Sequence, residues 1–154
     1  MQTVVDINNT FKAIVAAHEQ LKSFHTFSLD ELDMAKLDVD KYPLLYAQVS
    51  SAELDGGVTV FTYEIIVADL VIEKQQELLT QVYAEMFLIL QDVAAKFRFA
   101  MYDGNTTVDD RWNFDLPLLC DPFTARFDNL LTGWSTSFDI RLPNVIDLCD
   151  APFE

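Results

Sequence analysis

Apolar residues recur every three or four positions along two segments of the chain, residues 4–23 and 73–98. This spacing places them on one face of a helix, so the pattern predicts two amphipathic helices, of which the second is the longer. His18 falls on the apolar stripe of the first helix, where no Cys or acidic residue accompanies it. We therefore expect His18 to be a packed histidine rather than a metal ligand.

The second predicted helix is more apolar than a single buried face requires. Beside its main stripe it carries Leu78, Phe87 and Ile89, which widen the apolar surface. A helix of this kind is expected to be covered on more than one side, either by the rest of the fold or by a neighbouring subunit.

Two other segments, 58–71 and 134–142, read as long strands, and in the second apolar and polar residues alternate strictly. β-branched and aromatic residues dominate the first, and the alternation of the second is typical of a half-buried antiparallel strand. The turn signal Asp55-Gly56-Gly57 joins the first segment to an apolar run before it, so a hairpin is expected. Shorter strands are predicted near 24–29, over 43–49 and over 123–129, the last joined to 134–142 by a hairpin connection at 130–133.

The order of helix, strands, helix and strands, with tight connections between the long strands, predicts an α+β fold. Two main helices would pack on one face of a largely antiparallel sheet. The length of 154 residues corresponds to one structural domain over 1–154. Irregular segments are expected near 30–41, 99–121 and 143–154.

The chain is strongly acidic, with 25 Asp and Glu residues against 10 Lys and Arg and a formal net charge of −15. A surface of this sign repels DNA and anionic membranes. The charge therefore argues against a DNA-binding function for this chain, because such proteins bind by releasing counterions from the phosphate backbone. Acidic residues cluster at 30–40 and at 103–121. These clusters are either solvated loops or a surface that faces a polyanion without holding it, and the sequence leaves both interpretations open.

No set of residues in the sequence fills the roles of a catalytic or metal site. Cys120 and Cys149 are too few for a disulfide framework and are expected to be free, half-buried thiols. A calcium loop beginning at Asp103 fails because Val108 stands where the loop needs Gly and Phe114 where it needs Glu. Phosphate-binding glycine loops, nucleophile elbows and zinc motifs are missing. We therefore expect no enzymatic activity, no cofactor and no metal.

The first residues lack the basic and apolar pattern of a signal peptide, and no apolar run approaches the roughly 20 residues that span a bilayer. We therefore expect neither export nor a membrane partner. A small hydrolase that uses Cys120 or a pair of carboxylates stays open as a minor alternative, because acidic residues occur throughout the chain.

A spaced pattern of aromatic, Asp and Cys positions extends through most of the chain, from about residue 42 to residue 150. Its parts are Lys41–Tyr46, the strand 58–71 with its end Val67–Val71, the helix 73–98, Cys120–Asp128, Gly133–Trp134 and Leu148–Asp150. In this pattern the chain resembles small structural proteins of tailed phages, above all the neck or tail-terminator-like ring proteins of crAss-like phages. Residues 1–41 and 99–115 carry little of the resemblance.

The resemblance implies a non-enzymatic virion component, a subunit of a sixfold or twelvefold ring in the head–tail neck. Such a ring joins the portal to the tail and lines the conduit through which phage DNA passes without specific binding. The implied fold sets helices against a curved antiparallel sheet, in agreement with the periodicity. The partners would be copies of the chain itself, the portal and other neck or tail proteins. The protein would be found in virions after assembly in the host cytoplasm.

The resemblance and the charge together predict that acidic side chains face the channel, because like charge prevents DNA from adhering. Arginines are candidates for ion pairs between subunits, although pairs within one subunit would also account for them. A monomeric acidic adaptor or chaperone-like module that binds a basic protein is the alternative function. The candidate channel-facing acids are Asp30, Glu31, Asp33, Asp109 and Asp110, and the candidate interface residues are Arg111, Arg126, Arg141 and Trp134.

Overall fold

Two helices lie against one face of a six-stranded sheet in the part of the chain that the computed structural model describes, residues 4–26, 41–70, 76–100, 113–114, 116–126 and 131–143. This arrangement confirms the predicted α+β fold. The elements in chain order are α1 (Val4–Ala17), β1 (Ser23–His25), β2 (Leu44–Leu54), β3 (Val58–Leu70), α2 (Gln76–Ala100), β4 (Asn113–Phe114), β5 (Asp121–Arg126) and β6 (Leu131–Pro143).

The sheet is antiparallel except at one edge. Its strands follow the order β1-β2-β3-β6-β4, and β5 also pairs with β6. Only β1 runs parallel to its neighbour, β2. The central strand β3 pairs with β6 over its full length, from Val58 opposite Pro143 to Leu70 opposite Leu131. The long alternating segments of the sequence are therefore neighbours at the middle of the sheet.

The inner face of the sheet, which is the face that the helices cover, holds the main core. Alternation along β3 places Tyr63, Ile65 and Val67 there, and β6 adds Phe138 and Ile140, all with no exposed surface. The alternation predicted for 134–142 is thus confirmed. The helices contribute Ile7, Phe11 and Ile14 from α1 and Val82, Met86, Ile89, Leu90, Val93 and Phe97 from α2.

Phe11 joins both helices to the sheet at the centre of this core. Its ring stacks on Phe97 with centroids 4.7 Å apart, and it lies 5.8 Å from the ring of Tyr63 and 6.1 Å from that of Phe138. The Tyr63 hydroxyl donates a 3.0 Å hydrogen bond to Asn8 Oδ1, so this polar atom of the core has a partner. Burial raises the pKa of Tyr63 to about 12.

The outer face, opposite the helices, is apolar at one end and polar farther along. The polar part includes Glu64 of β3 with Ser137 and Asp139 of β6, of which the last two are exposed. The apolar end lies where β2 and β6 begin. It consists of Tyr42, Leu44, Tyr46, Ile66, Ala68 and Leu131, with Leu70 and Phe123 packed against them.

The first helix is shorter than predicted, since α1 ends at Ala17 and not at residue 23. The His18 ring provides the reason. Its Nδ1 accepts hydrogen bonds from the backbone N–H groups of Gln20 at 3.1 Å and Leu21 at 3.3 Å, which turns the chain away from the helix. Leu21 still reaches the core, and for this reason the apolar spacing continues beyond the helix end.

The predicted hairpin of β2 and β3 is confirmed, but β2 is longer than the segment 43–49. A register shift between Val49 and Ser51 lets the polar end of β2 continue to pair with β3. Asp55 N–H donates to the Val58 carbonyl at 3.0 Å and closes the turn. The apolar pattern of the sequence did not predict this extension of β2, because the residues that form it are exposed on both faces of the sheet.

The prediction of an irregular segment over 99–121 is wrong in part, because α2 continues to Ala100, β4 pairs with β6, and β5 begins at Asp121. The antiparallel pairing of β5 with β6 is confirmed, although residues 131–133 belong to β6 and not to the connection. The strand predicted near 24–29 is the three-residue β1. The predictions for 27–40, 71–75, 101–112, 115, 127–130 and 144–154 lie outside the described residues.

By length and composition alone, helix α2 could span a membrane, with 21 residues from Glu77 to Phe97 and a mean hydropathy of 1.2. The prediction made from the sequence concerned uninterrupted apolar runs only, so it did not include a helix of this length and composition. A core helix with a broad apolar stripe passes the same test. Here the stripe packs on the sheet, with Met86, Val93 and Phe97 buried.

Candidate interaction surfaces

Most of the charged residues predicted to act in the channel or between subunits lie outside the described part of the chain. Their roles therefore stay predictions. These residues are Asp30, Glu31, Asp33, Asp109, Asp110 and Arg111. Cys149, predicted to be a free thiol, also lies outside the described residues. The backbone of Arg126 is described, and it pairs with Leu131 in the ladder of β5 and β6.

Trp134, a predicted interface residue, makes its principal contacts within the chain. Its indole Nε1–H donates a 2.9 Å hydrogen bond to the carbonyl oxygen of Tyr83 on α2. The rings of Tyr83 and Phe87 meet it edge-on, with centroids 5.9 Å and 5.1 Å away. The tryptophan therefore joins α2 to the first residues of β6, and its side chain is partly exposed, so its predicted role between subunits stays a prediction.

Helix α2 keeps apolar side chains on its solvent side. Leu78, Phe87 and Leu88 are exposed, whereas Ile89 is buried in the core. The predicted widening of the apolar surface is therefore confirmed at Leu78 and Phe87, whereas Ile89 belongs to the core. Arg141, the other described interface candidate, is exposed on β6 opposite Val60 of β3.

His18 and Asp92 form a polar contact between the ends of α1 and α2. The distance from His18 Nε2 to Asp92 Oδ2 is 3.1 Å, beside a cavity of about 400 Å³ whose wall also includes Ala95 and Lys96. Since Nδ1 accepts two backbone N–H bonds, the neutral ring carries its proton on Nε2 and donates it to Asp92. His18 is thus a packed residue, as predicted, but with an acidic partner that comes from the other helix.

Neither described histidine is placed as a base for Cys120. His25 Nε2 lies 2.9 Å from Ser23 Oγ, while Cys120 Sγ is 3.7 Å from the carbonyl oxygen of Leu118. Cys120 is half-buried and free, as predicted. Among the described residues, no group of three His, Cys, Asp or Glu side chains could hold a metal ion.

A groove of about 480 Å³ crosses the polar part of the outer face. This groove could not be predicted from the sequence, because its acidic residues come from three strands that only the sheet register brings together. The segment Pro117–Leu119 forms one wall. The remaining lining residues are Ser50, Glu64, Asp121, Ser135, Thr136, Ser137 and Asp139.

Asp69, near the end of β3, is a half-buried acid close to a second one. Burial raises the pKa of its carboxyl, and the negative charge of Glu85 on α2 adds to this effect. A 2.8 Å hydrogen bond from the Leu70 N–H to Oδ1 offsets part of it. The stability that Asp69 contributes is therefore fully present below the unfolded-state pKa of 3.8 and is lost as pH rises through the higher folded-state pKa.

We expect Asp69→Asn to raise the thermal midpoint at pH 7, because the amide keeps an acceptor for the Leu70 N–H and carries no charge to desolvate. The gain should shrink as pH falls toward about 4, where the wild-type carboxyl takes up its proton. Thermal unfolding followed by circular dichroism across this pH range measures it. Asp55→Asn is the matched control, since exposed Asp55 accepts the same type of bond from the Gly56 N–H. Equal gains in both variants would contradict the assignment to burial.

No protein-family model matches this chain, and no curated protein matches it. Its function must therefore be inferred from its own residues and from the resemblance described above.

Proposed function

We propose that this protein is a structural subunit of a tailed-phage virion, a ring component of the head–tail neck that joins the portal to the tail and lines the DNA conduit. The observation that carries the proposal is the fold. Two helices on one face of a mostly antiparallel sheet agree with the architecture that the sequence resemblance implies. The proposed role is structural and involves no catalysis and no cofactor.

The electrostatics of the chain suit a conduit. With a formal charge of −15, the surface repels the phosphate backbone and lets DNA move past without adhering. In this proposal the acidic clusters that contain Asp30, Glu31, Asp33, Asp109 and Asp110 face the channel. Other partners would be the portal and neighbouring neck or tail proteins, and the protein would occur in virions.

The described surface offers uncharged area for contacts between subunits. Leu78, Phe87 and Leu88 leave α2 partly apolar on its solvent side, and burying such residues favours association. Arg141, which is exposed on β6, keeps its predicted place among the interface residues. These features support a homo-oligomer, and they leave the number of subunits to experiment.

Native mass spectrometry across a concentration series tests the proposal directly. We expect a discrete species of six or twelve times the 17.6 kDa chain mass. Arg141→Glu should shift the population toward monomer, while Lys12→Glu, which makes the same charge change at an exposed position of α1, should not. A monomer at every concentration, with and without the portal protein, would contradict the ring and favour the acidic adaptor.

A further inference from the structure

The edge of the sheet at β2 is open over the last part of that strand. β1 pairs only with Leu44–Tyr46, and among the described residues no other strand lies on that side of β2. The Thr26 hydroxyl donates a 2.8 Å hydrogen bond to Gln48 Oε1, and Gln48 Nε2 donates to the Val49 carbonyl at 3.2 Å. Residues 50–54, which follow, are all exposed. The open part of the edge therefore begins where these side-chain contacts end.

The turn after β2 determines which backbone groups point to this edge. The Asp55 N–H donates to the Val58 carbonyl, so these two residues form a hydrogen-bonded pair. The two kinds of pair alternate along an antiparallel ladder, so the next pair, Leu54 with Thr59, is not hydrogen-bonded, and Ala52 has the same orientation as Leu54. The N–H and C=O groups of Ala52 and Leu54 therefore point away from β3, to the open edge.

The side chains at the open edge differ between the two faces of the sheet. Ala52 lies opposite Phe61, which packs on the main core, so Ala52 and Leu54 belong to the inner face. Leu54 is 71% exposed although it is a large apolar residue. Glu53, between them, is exposed on the outer face. β2 contains no Lys or Pro, the residues that commonly protect an open edge from pairing, so its backbone groups stay accessible.

From these outward backbone groups, the exposed leucine and the charge of Glu53, we propose that residues 50–54 bind an extended segment of a partner protein as an added antiparallel strand. In this arrangement two apolar residues of the segment lie opposite Ala52 and Leu54 and exchange backbone hydrogen bonds with them. A Lys or Arg between the two lies opposite Glu53. The site belongs to a single chain, so it does not depend on ring formation or on the proposed function.

Fluorescence anisotropy with the full-length protein and a dye-labelled, capped Thr-Val-Lys-Val-Thr peptide tests the proposal. In the proposed register the two valines direct their N–H groups to β2, whereas the lysine N–H points away. N-methylation of both valines should therefore weaken binding at least about tenfold, because two hydrogen-bond donors are lost. N-methylation of the lysine alone should change the affinity less than about twofold. Equal effects of the two modifications would overturn the added strand.

A backbone variant of the protein locates the site. Ala52→Pro removes an N–H that makes no bond to β3, so it should leave the sheet intact and weaken peptide binding at least about tenfold. Ala52→Val, the matched control, keeps this N–H and should bind within about twofold of the wild type. Circular dichroism checks the fold of both variants. Unchanged peptide binding by a folded Ala52→Pro protein would overturn the proposal. A shift of this variant toward monomer in native mass spectrometry would also overturn it, because a second copy would then occupy the edge.

A charge variant tests the selectivity for a basic segment. Glu53→Lys should reverse the preference, so that a Thr-Val-Glu-Val-Thr peptide binds more tightly than the lysine peptide. Glu19→Lys makes the same change in net charge at an exposed position outside the sheet, and should keep the preference for lysine. Equal losses of lysine-peptide binding in the two variants would contradict a contact with Glu53 and indicate unspecific attraction to an acidic chain.

Discussion

Gly133→Ala is expected to destabilise the protein by at least about 3 kcal/mol, because backbone atoms of β3 occupy the space that a side chain at this position would need. Gly133 lies opposite Ala68 in the ladder of β3 and β6. An added Cβ would collide with the Val67 carbonyl oxygen and lie 2.8 Å from the Cα of Ala68. These atoms belong to the backbone of the central strand, which cannot rotate aside as a flexible side chain can. The two strands would have to separate where Trp134 fastens α2.

Urea denaturation followed by tryptophan fluorescence and circular dichroism measures this loss. Gly57→Ala is the matched control, since nothing lies within 4 Å of a Cβ built on Gly57 in the exposed turn between β2 and β3. The control should stay within about 1 kcal/mol of the wild type. A Gly133→Ala protein as stable as the control would show that β3 and β6 are farther apart at this point than the structure has them.

Phe11→Ala should cost about 3–5 kcal/mol, the range for removing a buried aromatic ring. Phe11 has no exposed surface, and its ring touches Phe97 of α2 as well as Tyr63 and Phe138 of the sheet. Its loss would leave a cavity at the point where three elements meet, and rigid strands on one side would prevent full collapse. The free energy of unfolding from denaturant titration is the relevant quantity.

Two further variants separate cavity formation from a general effect on α1. Phe11→Leu fills part of the space and should recover a substantial share of the loss. Val5→Ala changes an α1 residue that is 65% exposed, and should alter stability by less than about 0.5 kcal/mol. If Phe11→Ala were no more harmful than Val5→Ala, α1 would not be packed on the sheet through this ring.

The elements that the sequence predicted well are those whose periodicity reflects burial on one side. β3, β6 and α2 alternate or repeat according to the face that meets the core, so their extent could be predicted within a few residues. β1 could not be predicted as a parallel edge strand, because three half-buried residues carry no readable period. The end of α1 was missed for a different reason, since Leu21 extends the apolar spacing beyond the helix.

The surfaces were harder to predict than the core because they depend on register. Glu64, Asp121 and Asp139 are far apart in sequence, and only the pairing of three strands brings them to one groove. Likewise His18 meets Asp92 across 74 positions. Gly133 belongs to a turn-like stretch by composition, and the close approach that requires a glycine there becomes visible only when β6 is laid against β3.

The position of β6 in the chain also affects synthesis on the ribosome. β3 can pair with β2 as soon as residue 70 has emerged, because a short turn joins them. Its other edge must wait for residues 131–143, so the central strand of the sheet has one open edge during that interval. Open edges of apolar strands favour association between chains. Slower translation or lower temperature during recombinant expression should therefore increase the soluble yield, and truncation before β6 should produce an aggregating chain.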